Sequence, residues 1–247
     1  MMIQSIGAFV LERLYRRSNT IKSGISLFLC LVNAPGSSLV SALLPGLTDQ
    51  ERQRAARFVC PEALHLFVVS HAALHWALRG AGIYSYSFAW TAQGKPYLAD
   101  HPALHFNLSH TKGLIAVALS AGHPVGVDVE RLTTPQTYRE LAPRVMTPAE
   151  CTYMAAQQRP EDRFTQLWSA KEALMKATGL GFTLPPQDIE FAGPEPTLTR
   201  LPTAQGPVET WQLRTQRLPG HWLALAAQAP ALAFDPIHLS PQDLVAP

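Results

Sequence analysis

A chain of 247 residues, 47% hydrophobic and only 15% charged, can bury one large core or two small ones. A net charge of +2 is too mild for a dedicated nucleic-acid binder but suits an enzyme that attracts one anionic ligand or an acidic partner. Three scattered cysteines argue against a disulfide framework and for a reducing compartment, and no stretch approaches the roughly 20 apolar residues that a membrane span needs.

Residues 1–24 read as an extension outside the fold. The basic run Leu11–Arg17 has neither the charge placement nor the small-residue cleavage site of a signal peptide. Residues 25–32 are short, apolar and bounded by Asn33 and Pro35-Gly36, which predicts a buried strand. Thr48-Asp49-Gln50-Glu51 is a capping box opening a helix with Arg52, Arg54 and Arg57. Pro61 opens a longer helix that stops near Gly80. His71 and His75 lie one turn apart on it, but no metalloprotease glutamate stands between them and no third ligand is in view.

Gln93-Gly94-Lys95-Pro96 is a turn with a lysine at its tip. In the strand that follows, Leu104, Phe106 and Leu108 are expected to face inward and the polar residues outward. Ser109-His110-Thr111-Lys112-Gly113 ends it, offering several donors and little bulk: a phosphate cradle or an ordinary hairpin turn. Residues 114–120 return, and after Gly122-His123-Pro124 comes the most informative strand. There Val125, Val127 and Val129 share one face, while Asp128 and Glu130 project together from the other, about 7 Å apart at their bases. Like charges side by side cost free energy unless neutralised, and a hard divalent cation with oxygen ligands does that well.

Thr147-Pro148-Ala149-Glu150 is a second capping box. The helix predicted over 164–178 carries a stripe of Phe164, Leu167, Trp168, Leu174 and Met175, with Glu172 and Lys176 one turn apart on another face. Residues 210–214 and 222–227 flank Leu218-Pro219-Gly220-His221 as a hairpin, and the proline-bearing tail 230–247 is expected to be loose.

Four of these segments, Gly94-Lys95-Pro96, Phe106–His110, Gly126–Glu130 and Trp168–Lys176, stand in the order and spacing of a known family. The chain resembles the 4′-phosphopantetheinyl transferase superfamily, in its longer single-chain branch, over roughly residues 25–228. The resemblance implies an α+β fold: a pseudodimer of two similar halves, each a small antiparallel sheet packed on a long helix. The halves would be 25–123 and 124–228, with the tail at 229–247. It implies Mg²⁺-dependent transfer of phosphopantetheine from coenzyme A to a serine of an apo acyl or peptidyl carrier protein, releasing 3′,5′-ADP, by a cytoplasmic monomer with no nucleic-acid or membrane partner.

Residue by residue, Asp128, Glu130 and Glu172 match the family's metal ligands, and Lys176 the lysine on the transferring phosphate. Ser109 and His110 match the residues that hold the nucleotide phosphates, and Lys95 a contact to coenzyme A. Glu150 falls where the branch carries its proposed general base. Around Pro61–His71, where the family often supplies basic residues for the 3′-phosphate, this chain has His65 and His71, with Arg54 as a possible compensation. A relative that only grips coenzyme A would have lost a carboxylate or Lys176, and all are present. A magnesium-dependent nucleotide hydrolase would carry a phosphate-loop glycine signature, and none is found.

Overall fold

Strands that read as continuous apolar runs are those with both faces covered, and the protein has two layers of them. The structure, a computed structural model, describes residues 24–32, 37–232 and 234–245. The expected N-terminal extension and the turn at Asn33–Gly36 lie outside them, save for Gly24. In chain order come β1 (Ile25–Leu31), α1 (Ser37–Leu43), α2 (Asp49–Ala55), α3 (Pro61–Gly80), β2 (Phe88–Trp90), β3 (Pro96–Leu98), β4 (Leu104–Thr111), β5 (Leu114–Ala121) and β6 (Val125–Arg131). Next are α4 (Pro135–Val145), α5 (Pro148–Ala155), α6 (Pro160–Thr178), β7 (Glu190–Ala192), β8 (Thr197–Arg200), β9 (Gln212–Leu218), β10 (His221–Ala227) and β11 (Ile237–Leu239).

One sheet has the order β11-β1-β5-β4 and another β6-β10-β9. Period-two alternation on β5 explains the layering. Ile115, Val117 and Leu119 join Phe67, Val68 and Leu78 of α3 in one core, while Leu114, Ala116 and Ala118 meet Val125, Val127, Val129, Leu223 and Leu225 in a second core. A third core lies beyond the second sheet, where Ala224 and Ala226 meet Leu167, Ala170, Ala173 and Leu174 of α6. The order is therefore helix, sheet, sheet, helix: an α+β architecture.

Two expectations are corrected here. The polar face of β4 is not solvated: Asn107 and Ser109 are buried, and Asn107 Oδ1 and Ser109 Oγ accept from Val127 N (2.8 Å) and Val129 N (3.3 Å). Side chains of one sheet thus satisfy the outward N–H groups of β6, the edge strand of the other. The tail is not loose either. β11 pairs in parallel with β1, Phe28 opposite Ile237 and Cys30 opposite Leu239, and Leu244 is buried.

The capping box on α2 is present, and Glu51 does more than cap. It is buried, and its carboxylate takes His71 Nδ1 (2.6 Å) and His75 Nε2 (2.9 Å) on α3, with Tyr86 Oη 2.6 Å from His75 Nδ1. The two histidines are a docking clamp for α2. Burial alone would raise the Glu51 carboxyl; hydrogen bonds from His71, His75 and Thr48 outweigh it and hold the carboxyl well below the usual 4.5.

Two predictions follow from this packing. On the face of β6 opposite its valines, a Cβ at Gly126 would lie 2.1 Å from the carbonyl oxygen of Ala173 and 2.4 Å from the nitrogen of Ala177, so α6 rests on bare backbone. Gly126→Ala should cost about 1–3 kcal/mol or more in urea unfolding; a change below about 0.5 kcal/mol would contradict this seating. A folded-state carboxyl held below its unfolded value stabilises above pH 4.5, and that stability is lost as pH falls below it. The parent should therefore lose stability between pH 6 and pH 3 more steeply than Glu51→Gln, which at neutral pH should itself cost about 1–3 kcal/mol.

Candidate active site

The seat at Gly126 decides what meets above it. Gly126, Asp128 and Glu130 share one face of β6, and α6 crosses that face with Glu172, Ala173, Lys176 and Ala177 toward the strand. Asp128, Glu130 and Glu172 each bring an oxygen to within 4.8 Å of the others. Lys176 Nζ lies 2.5 Å from Asp128 Oδ1, 3.4 Å from Glu172 Oε2 and 3.1 Å from Ser109 Oγ. Ser109 donates to the same Asp128 oxygen at 2.9 Å.

One ammonium against three carboxylates leaves the cluster short of positive charge. Burial first, then Asp128 and Glu172, push the Glu130 carboxyl up to about 7. Glu172 is raised by burial and by Asp128. Burial alone would lower the Lys176 ammonium, but Asp128 and Glu172 outweigh it and raise it. Asp128 Oδ2 is buried without a hydrogen-bond partner. An orphaned carboxylate oxygen beside two more oxygen donors is what a hard divalent cation would satisfy, so the donor set fits one.

Beside the cluster, His110 follows Ser109 on β4. Loss of hydration lowers its imidazole, and Lys176, His71 and Arg54 add to that shift. A cavity of about 480 Å³ is lined by Arg54, Arg57, His71, Phe88 and Trp90, together with Gly94, Pro96 and, from β4, Asn107 and Leu108. Arg54 stacks its guanidinium over Phe67 at 5.3 Å. His65 is buried, and its Nδ1 has no partner.

Of the residues singled out by sequence, Asp128, Glu130, Glu172, Lys176 and Ser109 are brought together, with His110 next to Ser109 on β4 and Arg54 in the cavity wall. Two are placed otherwise. Lys95, expected at a turn tip as a coenzyme A contact, turns its side chain into the protein, where Nζ donates to the carbonyls of Ala177 (3.0 Å) and Val125 (3.2 Å). Glu150 is buried away from the cluster: Oε2 takes Lys171 Nζ (2.6 Å) and the Thr147 N–H (2.8 Å), and Oε1 takes the Phe191 N–H (3.0 Å). A carboxylate so enclosed has no open oxygen for an incoming hydroxyl, and its surroundings make it a cap and an ion-pair partner rather than a base. Lys171, which sequence reading passed over, also donates to the carbonyls of Pro186 and Ile189 (both 2.8 Å). Its neighbourhood to Glu172 in the chain gave no sign that it points to the opposite side of α6.

Comparison with known proteins bears on this site. The family model of the 4′-phosphopantetheinyl transferase superfamily matches residues 124–226, which hold β6, α6 and the whole acidic cluster. A 4′-phosphopantetheinyl transferase of Bacillus subtilis is 32% identical over 151 residues, 58% of this chain and 65% of that protein, just under two thirds of its length. The 4′-phosphopantetheinyl transferase HetI of Nostoc is 33% identical over 165 residues, 63% of this chain and 68% of its own. The 4′-phosphopantetheinyl transferase Sfp of Bacillus subtilis is 26% identical over 211 residues, 81% of this chain and 90% of its own.

The Glu150 arrangement generates its own test. Removing one partner of a buried pair leaves the other uncompensated, typically at a cost of about 3–5 kcal/mol. Glu150→Gln should lose stability on that scale in urea unfolding, and adding Lys171→Met should recover at least half of the loss. A Gln variant as stable as the parent but much slower in turnover would return Glu150 to the role of a base.

Proposed function

Because the chain belongs to the 4′-phosphopantetheinyl transferase superfamily, we propose that it transfers the 4′-phosphopantetheine group of coenzyme A to a serine hydroxyl of an apo acyl or peptidyl carrier protein, with 3′,5′-ADP as the product released. The observation that carries this reading is the cluster of Asp128, Glu130 and Glu172 with Lys176 in its midst, held against β4, the strand whose Asn107 and Leu108 line the cavity.

The nucleotide end of coenzyme A enters the cavity. There Trp90 and Phe88 offer ring surface to the base, and Arg54 and Arg57 face its phosphates. His110 and Ser109 lie along the pyrophosphate. Asp128, Glu130 and Glu172 would hold Mg²⁺, which when bound would polarise the pyrophosphate and offset its charge. Lys176 presents its ammonium to the phosphoryl oxygen on which charge develops. The serine hydroxyl attacks the β-phosphorus, the bond to the α-phosphate oxygen breaks, and the hydroxyl proton passes to a carboxylate at the open side of the cluster. Glu130 and Glu172, both half-buried, are the two that face that side.

We also read the two sheet-and-helix units as the halves of a pseudodimer, 25–123 and 124–228, within a monomer of the cytoplasm, where free cysteines such as the exposed Cys60 stay reduced. No helix among the described residues is long and apolar enough to cross a membrane.

Incubation with coenzyme A, Mg²⁺ and a panel of apo carriers should add the mass of one phosphopantetheine to at least one of them. Excess EDTA should abolish the reaction, and Lys176→Ala should slow it about 10²- to 10³-fold, the usual loss for one transition-state donor. Undiminished transfer in EDTA would overturn the metal assignment. No mass gain on fatty-acid, polyketide or peptide carriers would overturn the transfer itself.

A further inference from the structure

Lys95 belongs by sequence to the half of the protein that carries the cavity, yet its charge is spent in the other half. The turn that bears it is pinned at both ends. Thr91 N–H donates to the Lys95 carbonyl (2.9 Å), Lys95 N–H to Thr91 Oγ1 (3.1 Å) and Gly94 N–H to the Thr91 carbonyl (2.9 Å). Gly94 takes the left-handed conformation that closes it, at φ +86°. From this turn the side chain runs to the C-terminal end of α6.

There the ammonium meets two carbonyls that matter to the acidic cluster. Ala177 O, at 3.0 Å, is among the last carbonyls of α6, which have no partner within the helix, and it directly follows Lys176 in the chain. Val125 O, at 3.2 Å, opens β6 three residues before Asp128. A cation at a helix C-terminus also opposes the negative end of the helix dipole. The stem is accommodated by the glycine that ends the helix: Gly179 sits at φ +76°, and a Cβ there would lie 3.2 Å from Lys95 Cδ. Burial pulls the ammonium down to about 8, as expected for a cation held by carbonyl dipoles with no carboxylate beside it. Two of its three N–H bonds are consumed within the protein.

We infer that Lys95 is a positioning residue for the transfer: its ammonium locks the last turn of α6, and with it Lys176 and Glu172, to the start of β6, instead of gripping coenzyme A. The inference rests on the phosphopantetheinyl-transfer reading. It also makes the cavity-side turn and the catalytic helix one mechanical unit, joined through a single side chain.

The test separates binding from turnover. The parent is assayed first for transfer from coenzyme A, and its failure would remove the transfer reading without touching the geometry around Lys95. In Lys95→Met, the dissociation constant for 3′,5′-ADP, measured calorimetrically, should stay within threefold of the parent. Its kcat at saturating coenzyme A should fall at least tenfold, and amide hydrogens of residues 176–179 should exchange faster. Lys95→Gln, uncharged but able to donate to one carbonyl, is the second variant should the methionine form fail to fold, with the same split expected and a smaller loss of kcat. Lys95→Arg, which can donate to both carbonyls, should restore kcat to within about threefold of the parent. Nucleotide affinity weakened tenfold or more in the first folded variant of this series would overturn the inference and make Lys95 a substrate contact. A kcat within twofold of the parent in that variant would overturn it as well.

Discussion

The arrangement depends on the absence of one methyl group. At Gly126 the strand and helix that carry the acidic cluster touch backbone to backbone, closer than any residue with a Cβ allows. That approach places the carboxylates of Asp128 and Glu130 within reach of Glu172 and Lys176, which come from a segment more than 40 residues downstream. The valines on the other face of β6 serve the same end by packing the strand against the first sheet, so it cannot slide to relieve the charges it holds.

Holding three carboxylates together is unfavourable, and the protein offsets the cost only in part. Lys176 and Ser109 both serve the same oxygen of Asp128, leaving the second oxygen buried and unpaired. Burial first, and then the neighbouring carboxylates, raise the Glu130 and Glu172 carboxyls above the usual range. Two other buried carboxylates are well supplied: Glu150 takes Lys171 and two backbone N–H groups, and Glu51 is enclosed by two imidazoles and a cap. A site left incomplete next to others that are complete is a mark of function rather than of poor packing.

Much of this was legible in the chain. Alternation at 125–130 gave the two faces of β6, both capping boxes formed as read, and the hairpin around Pro219-Gly220 joins β9 to β10. These features depend on neighbours in sequence, where a period or a cap speaks for itself. What escaped was decided by distant partners. Asn107 and Ser109 looked solvated because nothing local shows that another sheet's edge will lie against them. Lys95 read only as the tip of a turn because the helix end that receives its side chain lies some 80 residues away. The family pattern carried Glu150 to a catalytic role, yet the capping motif, read by itself, already named the job its surroundings give it.

The return of the chain to its first sheet has a consequence for biogenesis. β1 emerges first among the described strands, but the described strand that covers its outer edge, β11, follows all the others in the chain. Until then an apolar strand with an open row of hydrogen-bonding groups waits on the ribosome, through the formation of the whole second sheet and its helix. Contacts so remote in sequence close slowly. The interval before β11 docks is therefore when a nascent chain of this protein is most open to pairing with another copy of itself, and when a chaperone that shields strand edges would matter most to its yield.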